Sequence, residues 1–444
     1  MKHKHHTHHT QAATHPLPAL AQRFLQTRAQ TLALAAPLSA EDCQAQSMPD
    51  ASPVKWHLAH VTWFFETFIL ERFEPGFKAF DPTFRVLFNS YYNAVGDKHP
   101  RAQRGLLTRP SLDEVKAWRA DVDQRITELI SHAHDHEIDT LLELGIQHEQ
   151  QHQELLLTDV KHLLSSSALQ SVYAKAWPLA TVAAAPAQWV AQNGGLHAIG
   201  HAGKSFAFDN ETPRHQQHLI PYALMNRLVT HDEWLDFVNA GGYSDSQWWL
   251  SAGWDWVCSH GIQAPLYWQQ DGDPAVHQGW TNFTLHGRVP IDPHTPIVHI
   301  SYYEADAYAR WKAAQGGDWH GARLPTEFEW EAAAAADEAK HIAQGNFSDT
   351  RALHPMPLKQ MREGLCQMMG DVWQWTSSSY SPYPGYQPWE GAVGEYNGKF
   401  MVNQYILRGG SCATPSSHIR TSYRNFFPAD ARWQFTGLRL AKTL

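Results

Sequence analysis

The sequence predicts an α plus α+β protein: an N-terminal four-helix bundle followed by a loop-rich domain of short helices and strands. Three observations predict it. The chain has 444 residues, more than one hydrophobic core usually accommodates. Its first 165 residues repeat apolar side chains at helical intervals. From Trp189 onward it holds 15 of the 19 tryptophans among frequent Gly, Pro and Asn turns and only short helical windows, the texture of an α+β domain.

The opening "MKHKHHTHHTQ" carries five of the 29 histidines without any core pattern. Residues 1–16 are therefore read as a His-rich disordered tail that could bind metal adventitiously. The first helix is expected from about Pro16 to Ala35, with Leu20, Phe24 and Leu32 at near-helical spacing. In "ASPVKWHLAHVTWFFETFILERF", Ser52 is a good N-cap and Pro53 suits the first helical position, so a second helix runs to about Phe73. A third is expected from Ser111 to about Ser131, with Val115, Trp118, Val122 and Ile126 on one side, and a fourth from about His136 to Leu164. Four long helices with an extended link between the second and third make a bundle over residues 17–180. The join falls within Ser165–Gln188, where charges are few and periodicity is weak. The second domain, 181–444, offers helical windows at "THDEWLDFVNA", "SYYEADAYARWKAAQ" and "PTEFEWEAAAAA".

Composition narrows the function. With 43% hydrophobic and 18% charged residues, the balance is that of a soluble globular protein. The net charge of -9 opposes nucleic-acid and anionic-membrane partners. No run approaches the roughly 20 apolar residues of a membrane span, and no signal peptide is evident, so a cytoplasmic protein is expected. The four cysteines form no CxxC, which argues against a disulfide framework or a cysteine zinc site.

The fourth helix contains an anomaly. Ile138, Leu141, Gly145, His148, His152, Leu155 and Asp159 share one face, and the two histidines of "HEQQHQELL" interrupt an otherwise apolar stripe. Four-residue spacing places both rings on one side about 6 Å apart along the axis, where both can converge on one ion. The second helix repeats the anomaly, because in "WHLAHVTWFF" His60 shares a face with Trp56, Trp63, Phe64 and Thr67. His57 stands about 60° away from that line, as a surface group or one behind a ligand. A bundle that sets His60 against His148 and His152 makes a three-histidine metal site with open positions, a catalytic rather than a structural arrangement; zinc and ferrous iron both suit it.

The combination of "SPVKWHLAHVTWFFE", "FNSYYNAVG" and "HEQQHQELL" resembles the DinB-like bundle of the ergothioneine-pathway sulfoxide synthases, the hercynine oxygenases. The segments "RLPTEFEWEAAA", "MMGDVWQWTSS", "LRGGS" and "FTGLRLA" look like the formylglycine-generating-enzyme fold, a C-type-lectin-like domain. The resemblance covers nearly the whole chain from about Leu17. It implies that His60, His148 and His152 hold Fe(II), and that the iron uses O2 to join a cysteine-type thiol to the imidazole of hercynine, leaving a sulfoxide. It places Gln151 near that imidazole, and Asn425 and Phe426, with Phe427 as a further candidate, beside hercynine's carboxylate and trimethylammonium. It also implies a tyrosine that supplies a proton or hydrogen atom. "NSYYN" favours Tyr91 and Tyr92 for this role, with Tyr380 as the alternative.

The thiol is left open between cysteine and γ-glutamylcysteine. Members selective for γ-glutamylcysteine carry an acidic residue and an additional arginine near "RNFFPADAR", where this chain has Phe427 and Ala431. Relaxed selectivity is therefore expected, with Arg432 and Arg420 as carboxylate partners. The rival enzyme is a DinB-like zinc thiol transferase, which would need no O2. A formylglycine generator is disfavoured, because only Cys412 follows "RGGS". A purely recognitional lectin module would have no use for an open metal site. The related ovothiol-pathway synthase adds a methyltransferase after these two domains, whereas this sequence ends at "GLRLAKTL", which favours hercynine over unmodified histidine.

Overall fold

The computed structural model describes residues 19–132, 135–175, 186–271, 273, 276–358 and 363–444. The His-rich tail, the start of the first helix and the 180/181 domain boundary lie outside the described residues.

Among the described residues, four long helices form the N-terminal half, with shorter helical turns between them. Helix α1 spans Ala19–Ala35. Helix α2 begins at Val54–Phe65 and continues through a π-helical turn, Glu66–Leu70, to Phe73. Helix α3 is Leu112–His132 and α4 is His136–Ser165, capped by the Asp135 carboxylate on the Glu137 N–H. Two expectations are corrected. The N-cap of α2 is Pro53, not Ser52, because Ser52 is drawn elsewhere: its N–H donates to Asp159 and its hydroxyl accepts from Arg104. On α1, Leu32 is exposed while Arg28 is buried. The inner face of that helix carries charge because the Glu149 carboxylate of α4 awaits it, accepting from Arg28, Arg119 and Thr31. These cations and the Thr31 hydroxyl offset the burial that would raise Glu149 and hold it down near 2.

Close approach of α2 and α4 depends on Gly145. A Cβ there would lie 2.3 Å from the Phe65 ring, so only glycine lets the two helices meet one turn before the histidines.

The C-terminal half is the α+β domain. Its strands are β1 Trp189–Gln192, β2 Gly195–Ile199, β3 His215–Leu219, β4 Tyr222–Met225, β5 Trp268–Gln270, β6 Trp280–Thr284, β7 Gly287–Pro290, β8 Trp373–Ser379, β9 Gln404–Arg408, β10 Asn425–Pro428, β11 Thr436–Gly437 and β12 Ala441–Thr443. They form sheets ordered β1-β4-β12, β2-β3, β5-β6-β7 and β10-β9-β8-β11. The expected helical windows become α5 His231–Asn239, then, after the helix Ser251–His260, α6 Tyr302–Ala314 and α7 Glu327–Ala335. Each of these three opens with a Ser or Thr capping box. Among the described residues no helix is long and apolar enough to cross a membrane.

The domains dock through α4. Its buried Glu154 accepts from Trp373 Nε1 at 2.9 Å, from Thr414 Oγ1 at 2.6 Å and from the Ser411 hydroxyl. This contact sets edge strand β10 across a cavity from the histidine pair.

Candidate metal centre and interdomain cavity

Helix α2 supplies His60, and α4 supplies His148 and His152. The ring centroids lie 5.0, 4.8 and 4.7 Å apart for the pairs 60–148, 60–152 and 148–152. One nitrogen of each ring lies within 4.8 Å of the other two, so small side-chain rotations bring all three to one ion. Trp56 and Trp63 stack on either side of His60, at 4.5 and 5.5 Å. Phe64 packs on His148 at 4.9 Å.

Burial keeps these imidazoles neutral. It pushes His148 down to about 4, and holds His60 and His152 well below the ordinary imidazole value, helped by the neighbouring histidines. A neutral ring has the lone pair that coordination requires. The Nδ1–H of His60 donates to the Phe88 carbonyl at 2.6 Å, leaving Nε2 free. Buried His148 Nδ1 has no partner among the described residues, an unmet requirement that coordination through that nitrogen would offset. Three uncharged nitrogen donors, without carboxylate or thiolate, fit a divalent transition ion with positions left for substrates.

A space of about 60 Å³ beside the histidines meets a larger interdomain cavity of about 320 Å³; Tyr91, Tyr396, Phe427 and Trp433 line both. The structure brings most of the expected residues here. Tyr92 is buried against Trp63 and Phe68 at the wall of the smaller space, and burial raises its phenol so that it stays protonated. Tyr91 accepts from Arg101 Nη1 at 3.1 Å and meets Phe400 edge-on. Gln151, Asn425, Phe426 and Phe427 line the larger cavity. The Gln151 amide donates to the Tyr423 hydroxyl at 2.7 Å, Tyr423 bonds His418 at 3.0 Å, and His418 bonds Gln147 at 2.6 Å.

Other expected residues lie elsewhere. Arg432 does not line these spaces; it donates to Glu304 at 3.3 Å and to the Ala264 carbonyl at 3.0 Å, facing a separate groove. Arg420 is bound by buried Glu211. Both cations are held by groups of the chain itself. Tyr380 lines neither space: its ring stacks on Phe426 at 4.1 Å, and its hydroxyl accepts from Asn210 at 2.9 Å. His57 is buried rather than on the surface and contacts His152.

Sequence reasoning missed Arg104. Its guanidinium is buried beside the histidines, 3.4 Å over the Trp56 ring, donating to Ser52 and Ser90. Burial lowers it to about 9. No sequence pattern pointed to it, since "HPRAQRGLL" reads as an ordinary basic loop.

Two family models divide the chain as the fold does: the DinB superfamily matches residues 23–156 and the sulfatase-modifying factor enzyme 1-like domain matches residues 180–444. Fold and domain order thus define a two-part enzyme, a DinB-type bundle joined to a sulfatase-modifying-factor-type domain. The chain is 31% identical to the hercynine oxygenase of Mycolicibacterium thermoresistibile, covering 95% of this chain and 94% of the relative. It is also 31% identical to that of Mycobacterium tuberculosis, over 95% and 98% respectively. A formylglycine-generating enzyme of Streptomyces coelicolor is 32% identical over 49% of this chain and 76% of its own length. The chain belongs to the hercynine oxygenase family.

Proposed function

We propose that this enzyme is an Fe(II)- and O2-dependent sulfoxide synthase that joins cysteine or γ-glutamylcysteine to the imidazole of hercynine. The observation that carries the reading is the opening of the His60, His148 and His152 cluster onto a cavity walled by both domains. When bound, ferrous iron supplies the redox centre for the thiol and O2. Forming the C–S bond removes one imidazole C–H and one S–H, releasing two electrons. Placing oxygen on sulfur takes two more, so one O2 gives one sulfoxide oxygen and one water.

The chain's own groups bind and orient the substrates. Buried Arg104 and nearby Arg101 offer positive charge beside the histidines for the thiol's carboxylate. The aromatic faces of Phe400, Phe426 and Trp433 in the larger cavity suit a trimethylammonium, each such contact contributing about 0.5–2 kcal/mol. Asn425 adds amide hydrogen-bonding capacity at the strand edge. The Gln151 amide group is tied to Tyr423 through its nitrogen, which leaves its oxygen to accept an imidazole N–H. Tyr91 and Tyr92 stand at the narrow space as proton or hydrogen donors.

The test is anaerobic reconstitution with Fe(II), followed by O2 uptake and mass spectrometry with hercynine and either thiol. Sulfoxide formed with one O2 consumed per product is expected. Equal product with Zn(II) and no O2 consumption would move the assignment to a zinc thiol transferase.

A further inference from the structure

A chain of hydrogen bonds runs outward from His152. Its Nδ1 lies 2.8 Å from His57 Nδ1, His57 Nε2 lies 3.0 Å from Asp159 Oδ2, and Asp159 Oδ1 accepts from Trp433 Nε1 at 3.2 Å. The Ser52 backbone N–H also donates to Asp159 Oδ2, at 2.8 Å. Asp159 and His57 come from α4 and α2, while Trp433 comes from the C-terminal domain and lines both the metal-side space and the substrate cavity.

For a neutral His57, counting donors and acceptors assigns the direction of this chain. A carboxylate only accepts, so the His57 nitrogen facing Asp159 carries the proton. In a neutral imidazole the other nitrogen is then a bare acceptor. Facing His57 Nδ1, the Nδ1 of His152 must donate, which leaves His152 Nε2 with its lone pair toward His60 and His148. Each link follows from the one before it. His60 reaches the same tautomer by donating to the Phe88 carbonyl, whereas His152 reaches it through a side-chain pair.

We infer that His57 and Asp159 are positioning residues of the metal centre: they hold His152 in the Nδ1–H tautomer and at the ring angle that presents Nε2 to the ion, with Trp433 anchoring the pair to the second domain. Hydrogen bonding behind a metal-bound imidazole raises its basicity, and its loss costs about 10- to 100-fold in metal affinity. The geometry adds a coupling. The indole that fixes Asp159 also forms a wall of the substrate cavity, so domain docking and ligand orientation share one side chain.

The inference rests on the metal reading of the three histidines, and its test separates the two. The full-length wild type and the variants His57→Phe, His57→Asn and Trp433→Phe are titrated with Co(II) against a chromophoric chelator, and their Co(II) ligand-field spectra are recorded. His57→Phe should weaken Co(II) binding about 10- to 100-fold. His57→Asn, which restores an acceptor near the Nδ1 position, should recover most of that loss. Trp433→Phe should shift the spectrum without abolishing binding, and it serves as the readout should His57→Phe fail to fold. Wild-type affinity and spectrum in both His57→Phe and Trp433→Phe would overturn the inference, as would equal weakening in His57→Phe and His57→Asn. Failure of the wild type itself to bind Co(II) at the histidines would instead remove the metal reading on which it stands.

Discussion

Arg104 lies over the indole of Trp56, its guanidinium carbon 3.4 Å from the ring centroid, and that indole stacks on His60 at 4.5 Å. Among the described residues Arg104 pairs with serine hydroxyls and not with a carboxylate. Its Nε has no hydrogen-bond partner among the described residues, and Asp159 acts on it only at a distance; a substrate carboxylate is the partner this position can receive. Arg104→Gln should raise the KM for the thiol at least tenfold while leaving the KM for hercynine within about twofold, since one lost charge-assisted hydrogen bond is worth about 1.5–3 kcal/mol. Steady-state kinetics with each substrate varied separately checks this.

Selectivity between thiols should be weak. Arg432 and Arg420 are bound by Glu304 and Glu211, so neither adds a second carboxylate site at the metal. Turnover of cysteine and γ-glutamylcysteine should agree within a hundredfold; a larger preference for γ-glutamylcysteine would refute the expectation.

The tyrosines divide by position. Tyr91 and Tyr92 line the space at the histidines, and Tyr380 does not. The Tyr91→Phe/Tyr92→Phe double variant should lose at least about a hundredfold in sulfoxide formation, the low end of what a positioned proton donor contributes. Tyr380→Phe should keep near-wild-type output. Wild-type sulfoxide yield from the double variant would remove both residues from the reaction.

Gly145→Ala should destabilise the bundle. The added Cβ would collide with Phe65 at 2.3 Å, and overpacking costs about 1–3 kcal/mol, more than the roughly 1 kcal/mol of helix propensity gained. A lowered Tm is expected, with weaker metal binding because neighbouring Phe64 supports His148.

Lys161 gives the protein a pH signature. Buried between the domains with Nζ 2.6 Å from His299 Nε2, it is pushed by burial down to about 7 from 10.5. Between those values the unfolded chain holds a proton that the folded chain has released, so stability rises with pH across about 7 to 10.5. Lys161→Met should flatten that part of the denaturation-midpoint profile and raise stability most at pH 7. An unchanged slope would contradict the depressed value.

Local periodicity made the helices and the three histidines legible. His60, His148 and His152 stand out because imidazoles interrupt apolar stripes that the sequence displays directly. The partners of those rings were hidden, because His57 meets His152 across 95 residues and Asp159 across 102, and no spacing rule reaches that far. His57 did give a signal: it sits one turn before His60 on a helix too apolar to leave a polar ring unpaired. Arg432 misled for the opposite reason. Its place beside the "NFFP" segment suggested a substrate contact, but after β10 the chain turns it toward Glu304. Ser52 carried the right residue type for a cap and was taken instead by Asp159 and Arg104.

The most direct test of the three-histidine centre is iron content after anaerobic reconstitution of the wild type and of His60→Ala, His148→Ala and His152→Ala, the His-rich tail being common to all four. The wild type should hold one more ion per chain than any variant, the excess disappearing with each substitution. Equal iron in the wild type and all three variants would contradict it.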